Sequence, residues 1–384
     1  MHNFTFQNPV KILFGRGQIA NIANEIPADA RILLTYGGGS IKTNGVYEQV
    51  KQALTGRTVY EFGGIEPNPQ LETLLKAVDI VRAENIDFLL AVGGGSVLDG
   101  TKFIAAAAPF PGDAWDILVK QAPVTSAIPL GAVMTLPATG SEMNAFFVIT
   151  KAATQEKLGS MTPLVFPQFS VLDPETTFSL PDRQIGNGIV DAFTHTMEQY
   201  LTYPVNAPLQ DRMAESILIT LIEEGPKTLA NPTDYDARTN VMWCATMALN
   251  GLIGAGVPQD WATHGIGHEL TALYGIDHAQ SLAVVLPSIM LHKQEAKRAK
   301  LLQYAERVWG ITQGSEADRI HAAIQQTRTF FESVGVPTRL SDYNIDSSAV
   351  SAVPQHMTAR GSVALGEQGD INADAVEKVL ALSI

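Results

Sequence analysis

Cysteine is almost absent from this chain of 384 residues. The single thiol, Cys244, cannot form an internal disulfide, which points to a reducing compartment. Its surroundings, Val241-Met-Trp-Cys-Ala-Thr-Met247, follow an apolar helical pattern, so a buried core thiol is expected. Basic residues are scarce as well: 26 Lys and Arg stand against 39 Asp and Glu, a net charge of −13. That balance disfavours nucleic acid and anionic membrane surfaces as partners. No apolar run approaches the ~20 residues needed to span a bilayer, and no basic segment precedes an apolar one near Met1. A soluble, cytoplasmic protein is expected. Two motifs are also missing. Neither glycine-rich turn has the full G-x-G-x-x-G spacing of the usual dinucleotide fingerprint, and His268-Glu269 is not followed by a histidine at 272, which excludes H-E-x-x-H.

What is present is globular: 46% of residues are hydrophobic and 17% charged, and the length suits two domains. The first half alternates short apolar strands with helical patterns. Strands are predicted at 31–36, 58–62 and 87–92, with later candidates around Met134, Val148 and Val171. Helices are predicted up to about Leu54, over 71–84 and over 97–107. This alternation implies a parallel sheet with helices on both faces. From Arg183 the periodicity is helical: 183–201, 207–224, 234–251, 261–273, 279–308 and 316–334, with a last helix capped by Asn372. Breaks are expected at Pro204, Pro226, Pro232, Pro258 and Pro337. The boundary falls near 180, separating an α/β nucleotide-binding domain (1–180) from an all-helical metal-binding domain (181–384).

Gly93-Gly94-Gly95-Ser96 follows a strand and opens a helix, where backbone amides favour phosphate. A plain tight turn accounts for the same glycines. Gly37-Gly38-Gly39-Ser40 ends an earlier strand without the Asp or Glu that commonly binds a ribose 2′-hydroxyl. Small residues, the Ser40 hydroxyl and nearby Lys42 would instead accept a 2′-phosphate, which argues for NADP(H). Thr135 to Glu142 is dense in hydroxyls and turn residues, and suits either a cofactor contact or an ordinary loop. Asp191 and His195 are four apart on one helix face, and so are His264 and His268. With His278, these residues offer one carboxylate and several imidazoles, the mixture a catalytic divalent metal needs. Spacing alone does not choose among His264, His268 and His278. His292, His321 and His356 read as solvated, and terminal His2 has no role.

Taken together, these segments resemble the iron-containing (group III) alcohol dehydrogenase family, in its NADPH-dependent aldehyde reductase and butanol dehydrogenase branch. The resemblance runs from Lys11-Ile-Leu-Phe-Gly-Arg-Gly17 through Phe62-Gly-Gly-Ile-Glu-Pro-Asn-Pro69, Gly93-Gly-Gly-Ser-Val-Leu-Asp99 and Leu136-Pro-Ala-Thr-Gly-Ser-Glu142. It continues in Val190-Asp-Ala-Phe-Thr-His-Thr-Met-Glu-Gln-Tyr200 and around His264. It implies a Rossmann-like domain joined to a helical one, in a dehydroquinate-synthase-like architecture. It implies Asp191, His195, His264 and His278 as metal ligands, with His268 near the nicotinamide as a catalytic residue that is not a ligand. Gly93 to Ser96 would hold the pyrophosphate and Gly37 to Ser40 the 2′-phosphate. Asn68, Asp99, Thr135, Thr139, Ser141 and Lys157 would line the rest of the cofactor cleft. The family also implies a homodimer in which the N-terminal strand, with its β-rich Phe4-Thr-Phe6, helps the partner's sheet. Phe146 and Phe147 are bulkier than the residues family members often carry beside the nicotinamide, so one of them is expected to narrow the substrate pocket in favour of small linear aldehydes.

The implied activity is hydride transfer between NADP(H) and small aldehydes or primary alcohols, with zinc or iron polarising the carbonyl oxygen. The donor set does not choose the metal. Three rivals are an NAD-linked diol or glycerol dehydrogenase, a dehydroquinate-synthase-like lyase and a non-catalytic nucleotide-binding protein. The lyase would need Lys and Arg for a phosphorylated, carboxylated substrate, and the segments around His195, His264 and His278 contain none.

Overall fold

A computed structural model gives the fold and describes residues 1–362 and 364–384. The chain forms two compact units, one of Gln7–Leu180 and one of Pro181–Ile384 together with Met1–Phe6.

The first unit has eight strands: β1 (Lys11–Phe14), β2 (Arg31–Tyr36), β3 (Thr58–Phe62), β4 (Phe88–Gly94), β5 (Leu130–Leu136), β6 (Phe146–Lys151), β7 (Glu156–Met161) and β8 (Phe169–Leu172). Its helices are α1 (Val46–Ala53), α2 (Leu71–Ala83), α3 (Gly95–Ala107) and the short α4 (Asp116–Val119). Six strands make one sheet in the order β1-β8-β5-β4-β2-β3, parallel at every pairing. Its central strands are buried along nearly their whole length, the mark of a parallel sheet covered on both faces. Ile32 and Leu34 of β2 and Phe88, Leu90 and Val92 of β4 share one face with Val46 and Val50 of α1. The Val148 segment does not join this sheet: β6 pairs antiparallel with β7 as a separate hairpin. The first strand is Lys11–Phe14, and Phe4-Thr-Phe6 lies outside any strand of this chain.

The second unit is helical: α5 (Asp182–Tyr200), α6 (Pro208–Ala230), α7 (Tyr235–Ala248), α8 (Ala262–Tyr274), α9 (His278–His292), α10 (Arg298–Arg307), α11 (Glu316–Ser333), α12 (Ala349–Ala359) and α13 (Ala373–Ala381). Asn372 caps α13 by accepting from the Ala375 amide. Three expectations need correction. Pro226 does not end its helix, because α6 runs through it; the turn there packs on α5, where Gly225 approaches Ile189, and tertiary packing outweighs one lost hydrogen bond. The run 279–308 is two helices, parted where Lys293 and Lys297 are buried on Asp370, Asp260 and Glu367. The third is an omission: helix α12 was not among the expected helices, and Pro354 lies inside it. Its Val353 and Met357 share a core with α8, α9 and α13. No helix among the described residues is long and apolar enough to cross a membrane.

Candidate active site

Helix α5 presents Asp191, His195 and Glu198 at spacings of four and three, so all three project from one face. From Gly188 to Tyr200 every residue is buried. Helix α8 carries His264 and His268, and α9 begins on His278. The start of α9 is held by a capping box between Asp277 and Gln280. Asn187 of α5 donates to Asp277 at 2.8 Å, tying the helix that opens on His278 to the helix that bears Asp191.

The imidazoles converge on one carboxylate oxygen. From Asp191 Oδ1, the Nε2 atoms of His195, His278 and His264 lie at 3.5, 3.7 and 3.9 Å. The donor atoms of Asp191, His195 and His264 all fall within 4.8 Å of one another, and those three residues are buried. The His195 and His264 rings stack at 4.7 Å. Four nitrogen and oxygen ligands in a tetrahedral shell sit roughly 3.3–3.5 Å apart at ordinary metal–ligand lengths. The three separations from Asp191 Oδ1 exceed that by about 0.5 Å at most, so a divalent ion fits with side-chain movements. His278 is the outermost arm, with its side chain 23% exposed. His268, half-buried, stands with its ring centroid 5.2 Å from that of His278 and 6.4 Å from that of His264.

Sequence reasoning left Glu198 without a role. One of its oxygens accepts the Thr263 amide at 2.6 Å and the other faces His264 Nδ1 at 3.3 Å. Burial pushes its carboxyl up to about 8, with nearby Asp260 adding to the rise. A divalent ion held by His264 would act in the opposite direction. His356 also departs from expectation. It is half-buried and pairs at 2.6 Å with Glu269 of α8, which Arg360 also holds, so it is a structural residue of the α8–α12 contact.

The first unit carries the glycine turns. Gly93 and Gly94 end β4, and Gly95 and Ser96 fall in the first turn of α3, whose N-cap has no side-chain hydrogen bond. A side chain at Gly95 would collide with Thr139 at 2.5 Å and one at Gly94 with Leu136 at 2.9 Å. Close approach to the β5 loop therefore demands these glycines, whatever they bind. Asp99, one turn further along α3, accepts from the Ser141 hydroxyl at 2.6 Å and the Val148 amide at 3.0 Å. Lys102, fully buried, donates to Ser141 Oγ, Asn144 Oδ1 and the Phe146 carbonyl at 2.8, 3.0 and 3.0 Å. Burial pushes Lys102 down to about 8 and Asp99 up, while their mutual attraction opposes both shifts. Ser141 thus bridges a buried acid and a buried base, and Lys102 was not foreseen. Lys157 donates to Asn68 at 2.9 Å, joining two of the expected cofactor residues. Thr135 is buried at the end of β5.

Gly37, Gly38 and Gly39 follow β2, and Ser40 starts a short 3-10 turn ending at Lys42. Lys42 lies over the rings of Tyr36 and Tyr47 and 3.7 Å from Glu61, so a cation is already poised beside this turn. Phe146 and Phe147 part company. Phe147 is fully buried against Phe103 and belongs to the core, whereas Phe146 is 42% exposed beside Gly159. Cys244 is buried, and desolvation pushes its thiol up to about 12, which makes it inert.

Comparison with known proteins matches both halves. The family model for iron-containing alcohol dehydrogenase covers residues 9–174, and that for the Fe-containing alcohol dehydrogenase family, C-terminal, covers 186–383. The chain is 59% identical over 382 residues to the NADPH-dependent aldehyde reductase YqhD of Escherichia coli (strain K12), covering 99% of each chain. It is 44% identical over 389 residues to the probable NADH-dependent butanol dehydrogenase 1 of Bacillus subtilis (strain 168), covering both completely. The crystal structure of E. coli K-12 YqhD superposes with a TM-score of 0.98 at 58% identity, covering 100% of this chain and 99% of that one. The NADH-dependent butanol dehydrogenase A of Thermotoga maritima gives 0.95 at 35% identity, with the same coverage. This chain, an oxidoreductase by that kinship, belongs to the iron-containing alcohol dehydrogenase family.

Proposed function

We propose that the chain is a metal-dependent, NADPH-linked aldehyde reductase acting on small linear aldehydes, and on primary alcohols in reverse. The observation that carries this reading is the convergence of three histidine Nε2 atoms within 3.9 Å of one Asp191 oxygen. Asp191, His195, His264 and His278 would hold the ion. A divalent metal bound there supplies Lewis acidity toward a carbonyl oxygen, and NADPH supplies the hydride.

The chain's own residues do the remaining work. The buried α5 face fixes two of the donors on one rigid helix, so little reorganisation accompanies charge development. His268, at the rim of the cluster, or water would deliver a proton to the product alkoxide. The free amides at the start of α3 favour a pyrophosphate. Ser40 and the poised Lys42 favour a 2′-phosphate. Asn68, Asp99, Thr135, Thr139, Ser141 and Lys157 would position the remainder of the cofactor, and exposed Phe146 would restrict branched substrates. Zinc and iron suit the donor set equally. A homodimer joined through Met1–Phe6 is in keeping with Phe4 and Phe6, which are 52% and 42% exposed. The test is consumption of NADPH and of NADH with butanal, using protein stripped by chelator and then given Zn(II) or Fe(II). Metal-dependent turnover with NADPH well ahead of NADH is expected. Turnover indifferent to metal would refute the site, and equal or better use of NADH would refute the cofactor assignment in favour of an NAD-linked dehydrogenase.

A further inference from the structure

We infer that Glu198 is a positioning residue for the metal centre: it fixes the tautomer and ring plane of His264, so that the Nε2 lone pair of that imidazole points at the site. The inference rests on the metal reading above. Glu198 follows His195 by three residues on α5, so the helix that bears two of the donors also bears the group behind a third. The Glu198 side chain is 2% exposed and that of His264 10%, so the 3.3 Å contact between Oε2 and Nδ1 is shielded from water. Carboxylates placed in this way behind ligating imidazoles hold the proton on the distal nitrogen and raise the basicity of the other.

The rest of Glu198 is immobilised. Its Oε1 accepts the Thr263 amide at 2.6 Å, standing in for the side-chain cap that Trp261, in a left-handed conformation, does not provide for α8. Its backbone carbonyl accepts the Asp260 amide at 2.9 Å. Asp260 in turn holds the Ala262 amide at 3.0 Å and the Lys297 ammonium at 2.6 Å. Lys297 also donates to the Leu201 carbonyl at 2.7 Å and to Glu367 at 3.1 Å. One oxygen of Glu198 thus serves the helix and the other serves the ring, and the two roles can be separated experimentally.

Glu198→Gln achieves the separation. Thr263 requires an acceptor, so the carboxamide oxygen must stay at the helix and the amide group must turn toward His264. An N–H donor there forces Nδ1 to accept, which moves the imidazole proton onto Nε2, the atom the metal needs. The measurement is the zinc dissociation constant of full-length, metal-free protein by chelator competition, with thermal unfolding of the metal-free form as the control. A 10- to 100-fold weaker affinity for zinc, with metal-free unfolding unchanged, is expected for E198Q. Affinity within threefold of the parent in a folded E198Q protein overturns the assignment while leaving the metal site standing. A parent protein that binds no zinc overturns both readings. If E198Q does not fold, 15N spectra of the histidines in the metal-free parent decide, recorded at pH 9, above the raised range of the Glu198 carboxyl. An Nδ1–H tautomer at His264 supports the role, and an Nε2–H tautomer overturns it.

Discussion

Gly38 is structurally idle, yet the proposed cofactor site makes a side chain there chemically telling. A Cβ there meets nothing within 4 Å, and its φ is not among the chain's positive values. Gly38→Asp should therefore fold normally while placing a carboxylate where the proposed 2′-phosphate lies. At separations near 4 Å, like charges near a protein surface repel by a few kcal/mol, and about 1.4 kcal/mol already means tenfold. KM for NADPH should rise at least tenfold with KM for NADH little changed; equal changes for both cofactors would remove the Gly37–Ser40 argument. At this scale the sequence is readable only where local chemistry decides. The pairing of Asp191 with His195 follows from helix periodicity alone. That only one of Phe146 and Phe147 can meet a substrate follows from strand alternation. Lys102 escaped notice because an isolated lysine on an apolar helix normally reaches water with its ammonium. Here Ser141, Asn144 and the Phe146 carbonyl, all distant along the chain, replace that water. His356 was misjudged for the same reason, since its partner Glu269 lies on another helix.

Helices α8 and α9 must lie close for His264 and His278 to approach one oxygen, and Gly267 permits it. A Cβ at Gly267 would sit 2.8 Å from Ser281 Oγ and 3.0 Å from Leu282 Cδ2. The Ser281 hydroxyl donates to the His278 carbonyl at 2.6 Å, so displacing it disturbs the turn that places that histidine. Gly267→Val should force the helices apart at a cost of roughly 1–3 kcal/mol and weaken zinc binding by about tenfold or more. Chelator competition and thermal unfolding would report it; a destabilised variant with parental affinity would show that α8 and α9 separate without moving the donors. Most elements were legible because their periods are strong: all of the strands expected at 31–36, 58–62 and 87–92 form, and α5 matches its pattern within a residue or so at each end. The errors came where tertiary contacts overrule local signals. Buried ion pairs at Lys293 and Lys297 part a continuous helical pattern, and packing carries α6 and α12 through prolines.

For the molecule as a whole, the proposed donors all belong to the helical unit and none to the α/β unit. Metal should therefore act as a folding ligand of one unit. A ligand that binds only the native state stabilises by RT ln(1 + [L]/Kd), about 4 kcal/mol at a thousandfold excess over Kd. For a unit of this size that corresponds to roughly 8–16 °C in the transition temperature. Hydrogen exchange should slow on zinc addition in α5, α8 and α9 first. The pH dependence has a definite sign. The ligating imidazoles must be unprotonated, so the metal-loaded state holds fewer protons than the metal-free state, and metal affinity rises with pH. The zinc-dependent increment should be larger at pH 7.5 than at pH 5.5. Calorimetry with zinc and with chelator at both pH values tests this. An increment that is absent at pH 7.5, or that grows on acidification, would mean that the three histidines converge on Asp191 for a reason other than an ion.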